Sequence, residues 1–178
     1  ASGQGDGLTF SGHAAVFNTL SESLGCFRER IAAGAFGKSL QMDDVRALLN
    51  HDPNHVLGRN RSKTLDLRED DHGLWFEVRA PDVEWVRALR VSVERGDINQ
   101  CSFGFECLRD EWRTVDGQEE RTLLEVRLFD ISLVTYPAYT ATDAQVRSAA
   151  DVFAARTRAR GPSLDVVRRR LDLIEKEW

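Results

Sequence analysis

The sequence predicts a mostly β, α+β fold: a small closed antiparallel β-barrel decorated with helices and ending in a helical C-terminal tail. Three observations predict it. About seven short segments alternate apolar with polar residues or lie between turn signals. One or two windows between them have helical spacing. Beyond Thr140 the composition changes to one rich in Ala and Arg. The chain of 178 residues is long enough for one domain burying about 70% of its unfolded surface. With 42% hydrophobic and 30% charged residues it has an ordinary globular composition. A net charge of −5 gives no global drive toward nucleic acid. No stretch of 18 uncharged apolar residues occurs, so no membrane span is expected.

Residues 1–7 are small and polar, without a basic start or an apolar stretch, and are expected to be a disordered lead-in rather than a secretory signal. A domain over residues 8–140 follows. Its first strand lies within residues 8–17, around Ala14 to Phe17. Residues 21–36 carry Gly25 and Gly34 as breakers and read as irregular, with a short helix after them. Residues 45–50 form a short apolar stretch that stops at a turn over His51, Asp52, Pro53 and Asn54. Leu65 and Leu67 alternate with polar residues in one strand; Leu74, Phe76 and Val78 do so in the next, and the Asp70-Asp71-His72-Gly73 run joins them as a hairpin. Val86, Leu89 and Val93 share one face of a helix over residues 82–95, entered through Pro81-Asp82 and stopped by Gly96.

Period two returns over residues 98–108. Cys101, Phe103, Phe105 and Cys107 form an apolar face, while Ser102, Gly104 and Glu106 form the other, expected to be exposed or to line a cleft. Residues 111–121 are polar, with Asp116-Gly117 as a hairpin turn. The last strand, over residues 123–134, contains a fault. Its apolar residues are even-numbered through Leu128 and odd-numbered from Phe129, as a β-bulge or sharp bend produces. Pro137 ends it. In the tail, residues 141–178, Leu164, Val167, Leu171, Ile174 and Trp178 have heptad spacing, enough to dock on the body, on a second copy or on a partner but too short to stand alone.

Base chemistry near neutral pH falls most readily to a histidine, and the chain has four: His13, His51, His55 and His72. His51 sits where an apolar strand meets a turn; the bland alternative is a strand-end histidine satisfied by a carbonyl. Ser102 lies on the polar face of its strand, and the missing side chain of Gly104 leaves room for a peptide backbone to approach. A serine attacks only when a base takes its proton. Asp130, just after the phase slip, could hold that base, with Glu125 and Glu106 as alternative orienters and an ion pair to Arg127 or Arg59 as its structural use. His51 and His55, with Asp52, have i, i+4 spacing suited to a metal, but Pro53 and Asn54 oppose the helix it needs, so no metal or cofactor is expected. Cys101 and Cys107 point to the apolar face and are expected to be inert; with Cys26 they make an odd, sparse set that argues against disulfides and for a reducing compartment.

Taken together, Gly12–Phe17 (GHAAVF), Glu29–Phe36 (ERIAAGAF), Leu48–Asp52 (LLNHD), Leu57-Gly58-Arg59, Ser102–Phe105 (SFGF) and Asp130–Tyr139 (DISLVTYPAY) resemble, in order, the prohead serine protease family of tailed bacteriophages. Its fold resembles that of herpesvirus assemblins. The resemblance implies a serine endopeptidase of capsid maturation with His51 as general base and Ser102 as nucleophile. The family's third member is an acid before the SLV segment, commonly Glu; here the position is Asp130. The resemblance also implies a scaffold or capsid protein substrate inside the prohead in the host cytoplasm, the protease's own chain as a further substrate, for which the Arg156–Gly161 run, accessible by composition, is the expected place, and a homo-oligomer, a dimer by analogy with assemblins. Two other readings compete: a non-catalytic capsid-assembly or scaffold-binding module using the C-terminal heptad, and a metal hydrolase using His51, His55 and Asp52.

Overall fold

The structure, a computed structural model, describes residues 8–136. In chain order these form β1 (Leu8–Val16), β2 (Phe27–Ile31), α1 (Gly37–Met42), β3 (Arg46–Leu49), β4 (Asp52–Arg59), β5 (Leu65–Glu69), β6 (Gly73–Ala80), α2 (Glu84–Glu94), β7 (Gln100–Val115) and β8 (Gln118–Val134). The expected lead-in, the heptad tail at residues 141–178 and the Arg156–Gly161 run lie outside the described residues.

The strands form two sheets. One runs β1-β6-β5, all antiparallel. The other runs β2-β8-β3-β4, with β7 along the second edge of β8. The expected closed antiparallel barrel is therefore corrected in two respects. β2 and β3 both lie parallel to β8, and the sheets are not joined into a ring. Closure requires one consistent stagger around all edges. Here the edges of β1 and β7 approach without a shared ladder, so the ring of hydrogen bonds stays open between them.

The core fills the space between the sheets. Leu74, Phe76, Val78 and Ala80 project there from alternate positions of β6, facing Leu123, Val126, Leu128 and Ile131 of β8 across the interior. α2 places Val86 and Leu89 against this core and packs on β1.

β8 organises the rest. Its residues Glu119 to Leu123 pair with β2 and its residues Asp130 to Leu133 pair with β3 on the same edge. The stretch between them lacks a strand partner there. Segment 35–39 satisfies it instead: the Ala35 carbonyl accepts from Val126 N–H at 3.0 Å, and Ser39 Oγ accepts from Leu128 N–H at 2.8 Å. The phase fault lies beside this join. Gly104 pairs with Asp130 but Phe105 pairs with Leu128, which leaves Phe129 as the extra residue of a bulge. Phe129, which the alternation groups with Ile131 and Leu133, is 49% exposed. A second slip, between Arg109 and Asp110, turns Leu123 rather than Leu124 into the core.

Candidate active site

The turn between β3 and β4 is shorter than the sequence implies. Leu49 pairs with Asp52, leaving Asn50 and His51 as its two central residues, at φ 52° and 57°. Two successive positive φ values suit the right-handed twist of a tight hairpin, and Pro53 follows inside β4 rather than in the turn. β4 lies at the end of the sheet order, where a missing N–H is tolerated. The turn is bound to the end of β8. Asn50 N–H donates to the Leu133 carbonyl at 2.9 Å, Asn50 Oδ1 accepts from Thr135 N–H at 2.9 Å, and His51 N–H donates to Ser132 Oγ at 3.1 Å. An imidazole on a strained backbone is thus fixed above β8.

That imidazole meets Asp130. His51 Nδ1 lies 2.7 Å from Asp130 Oδ1. A carboxylate can only accept, so Nδ1 carries the proton and Nε2 is the free base nitrogen. Ser132 Oγ donates to the same Oδ1 at 2.8 Å, and lies 3.3 Å from His51 Nδ1. Ser132 is one of few fully enclosed polar residues, and its hydroxyl joins the backbone of the histidine to the side chain of the acid.

β7 brings the remaining residue. Ser102 pairs with Ser132 and Gly104 pairs with Asp130 across the antiparallel ladder. Directly opposed residues project to the same face, so Ser102, Ser132 and Asp130 share the face over which the His51 turn is held. Gly104 does not keep room for a peptide backbone, as the sequence implied: the Asp130 carboxylate occupies that room, and a Cβ on Gly104 would collide with Asp130 Oδ2. Ser102 is buried at 3% exposure, not exposed.

The alternatives to these residues separate in space. Glu125 pairs with Lys38 at 2.9 Å and Glu106 with Arg127 at 3.0 Å, so neither orients His51. Arg59 pairs with Asp44, which leaves Asp130 to the histidine. His55 takes its own carboxylate, Asp52 Oδ2, at 2.7 Å and stands edge-on to Trp85. His51 and His55 therefore do not converge, and no group of metal-ligating side chains occurs among the described residues. Burial pushes the Cys101 thiol up to about 11 and raises that of Cys107, which keeps both protonated near neutrality. Ser132 is the residue that sequence reasoning passed over. Its signal was present, since it stands two positions after Asp130 on the polar side of the shifted strand.

Comparison with known proteins adds an independent line. The family model of the caudovirus prohead serine protease matches residues 1–155. No curated protein and no solved structure matches the chain.

Proposed function

The chain belongs to the caudovirus prohead serine protease family, and from that premise we propose that Ser102, His51 and Asp130 are its nucleophile, general base and orienting acid. It is a serine endopeptidase of phage capsid maturation by family. Its substrate, on this reading, is the scaffold protein or the scaffolding arm of the capsid protein, cut inside the prohead in the host cytoplasm.

The carrying observation is the 2.7 Å contact between His51 Nδ1 and Asp130 Oδ1, made above the face that holds Ser102. With Nδ1 protonated, Nε2 takes the Ser102 hydroxyl proton as Oγ forms a bond to the scissile carbonyl carbon. The imidazolium gains stability from the carboxylate of Asp130. Nε2–H then passes its proton to the leaving amine as the C–N bond breaks, giving the acyl-enzyme. A water molecule repeats the sequence, with His51 again as base, and releases the acid product. Developing negative charge on the carbonyl oxygen calls for backbone N–H donors, commonly the largest contribution.

Ser132 is a weaker nucleophile candidate despite its distance of 3.3 Å to His51 Nδ1. Its proton goes to Asp130, and the nitrogen it faces is itself a donor. The test is Ser102→Ala. It should abolish labelling by an alkyl fluorophosphonate and lower kcat/KM by roughly 10⁴–10⁶-fold, with an unchanged circular dichroism spectrum. Retained cleavage or label on Ser132 overturns the assignment.

A further inference from the structure

The open seam between β1 and β7 contains a cavity of about 270 Å³. It lies against the two neighbours of Ser102, since Cys101 and Phe103 of β7 form one of its walls. The other walls come from the end of β1, the segment after it, and β2. Its volume is below the roughly 300–1,000 Å³ of sites for whole small molecules. It suits one side chain.

The lining defines which side chain. Ala14, Ala15, Leu20, Ile31 and Phe103 supply apolar walls. Every charged group in the wall already has a partner: His13 Nε2 with Asp70 at 2.9 Å, Glu29 with Arg121 at 3.0 Å, and Arg30 with Glu120. The hydroxyls are committed as well. Ser21 Oγ donates to the Glu22 carbonyl at 2.7 Å, and Thr19 Oγ1 donates to the Phe17 carbonyl at 3.3 Å. A charged guest would lose its hydration and find no free counter-charge. An apolar guest would lose nothing.

The topology supplies a route. Among the described residues β7 is hydrogen-bonded along one side only, to β8. An extended peptide lying along its other side would project side chains alternately to the two faces. Ser102 stands on one face and the cavity opens beneath the other, next to the same residue. We propose that this cavity is a specificity subsite of the protease, receiving an apolar side chain of the substrate one or a few residues from the bond cut at Ser102. The inference rests on the assignment of Ser102 as nucleophile.

The test uses the full chain and a mixture of unfolded peptides derived from total cell protein, with cut sites mapped by mass spectrometry. An alkyl fluorophosphonate, which has no amino-acid side chain, reports Ser102 reactivity separately. The wild type should show roughly tenfold or greater enrichment of large apolar over charged residues at one fixed position near the cut, the range that contacts in a hydrophobic pocket command. Val16→Trp and Thr19→Trp alter exposed residues at the cavity rim. Each should shift that preference toward Ala and Gly while fluorophosphonate labelling stays at the wild-type rate. Labelling without any apolar preference, or a preference unmoved by both variants, overturns the subsite. So does labelling without cleavage of any unfolded peptide, since an open seam admits extended chains. A preference confined to cuts within the chain's own residues 140–178 would make that segment the occupant and overturn the substrate reading. Failure of Ser102 to label at all is a different result, and removes the nucleophile assignment itself.

Discussion

Two histidines near each other in the sequence each meet an aspartate at the same contact distance. His51 Nδ1 meets Asp130 at 2.7 Å, and His55 Nδ1 meets Asp52 at 2.7 Å. What differs is where each carboxylate comes from. Asp52 is three residues from its histidine and also accepts from Asn54 N–H at 2.9 Å, the ordinary satisfaction of a polar strand start. Asp130 comes from a strand 79 residues away, stands beside a bulge, is held by Ser132, and fits only because Gly104 has no side chain. The first pair costs the fold nothing. The second requires a bulge, a glycine, a buried serine and a strained turn to coincide, over the sheet face to which Ser102 belongs. A histidine–carboxylate contact is therefore a poor marker of catalysis, whereas the long-range set of residues needed to make one is a good marker.

The largest effect that separates the pairs is removal of each acid. Asp130→Asn keeps the shape but presents an amide that can favour the wrong imidazole tautomer; kcat/KM should fall by about 10³–10⁴-fold. Asp52→Asn should leave kcat/KM within about twofold, as expected for a local pair away from the reacting atoms. Equal effects in peptide hydrolysis would erase the distinction. Gly104→Ala tests the room for the acid rather than the acid itself. The added methyl must displace the Asp130 carboxylate, and a misplacement near 1 Å costs on the order of 10²-fold. Wild-type kcat/KM with an unchanged melting temperature would mean that the carboxylate position is not critical.

The same contrast explains what the sequence made legible. The outer residues of the site were visible because each stands at a break in a pattern: His51 at the end of an apolar stretch, Ser102 before a glycine, Asp130 after a phase slip. Ser132 was legible as a polar position on the same strand but not as a role, because that role is to join two residues brought together by the parallel pairing of β3 with β8. The fold shows the same division. β6 and α2 follow their hydrophobic periods closely. β2 was read as irregular because Glu29 occupies an inward position between Phe27 and Ile31, where it is balanced by Arg121 from β8. Burial raises the Glu29 carboxyl even against that arginine. The tip of the β7–β8 ribbon, from Arg113 to Gln118, has little apolar alternation because both faces meet water there. Its ladder and the Asp110–Arg121 pair hold it. The β3–β4 turn was misplaced toward Pro53 because Pro is the stronger turn signal, while the positive φ that Asn50 and His51 tolerate is held by their bonds to β8.

Ser132→Ala sharpens the comparison at a smaller scale. It removes the donor to Asp130 and leaves His51 N–H without its acceptor in a part-buried setting. The unfilled N–H should cost about 1–3 kcal/mol of stability, measured by denaturant unfolding. Activity should fall by roughly tenfold, mostly in kcat, because a loosened turn affects the transition state more than substrate capture. Ser132→Thr, which retains the hydroxyl, should restore most of both. Loss of stability with full activity would make Ser132 part of the scaffold and leave His51 and Asp130 self-sufficient.

The smallest expected effect belongs to the local pair and appears in pH rather than rate. The Asn54 N–H, followed by His55, holds the Asp52 carboxyl below its ordinary 3.8. A depressed folded value means that the ionised carboxylate favours the native state. That contribution is present in full above 3.8 and is lost as pH falls through the lower folded value. Asp52→Asn should accordingly lower the melting temperature slightly at pH 6, by no more than roughly a few degrees. The difference from wild type should shrink below about pH 4, with peptide hydrolysis at pH 7 unaffected throughout. A difference that grew in acid would mean that the neutral carboxyl is the favoured partner there. Loss of activity at neutral pH would place Asp52 in the machinery of His51 and make the two pairs one system.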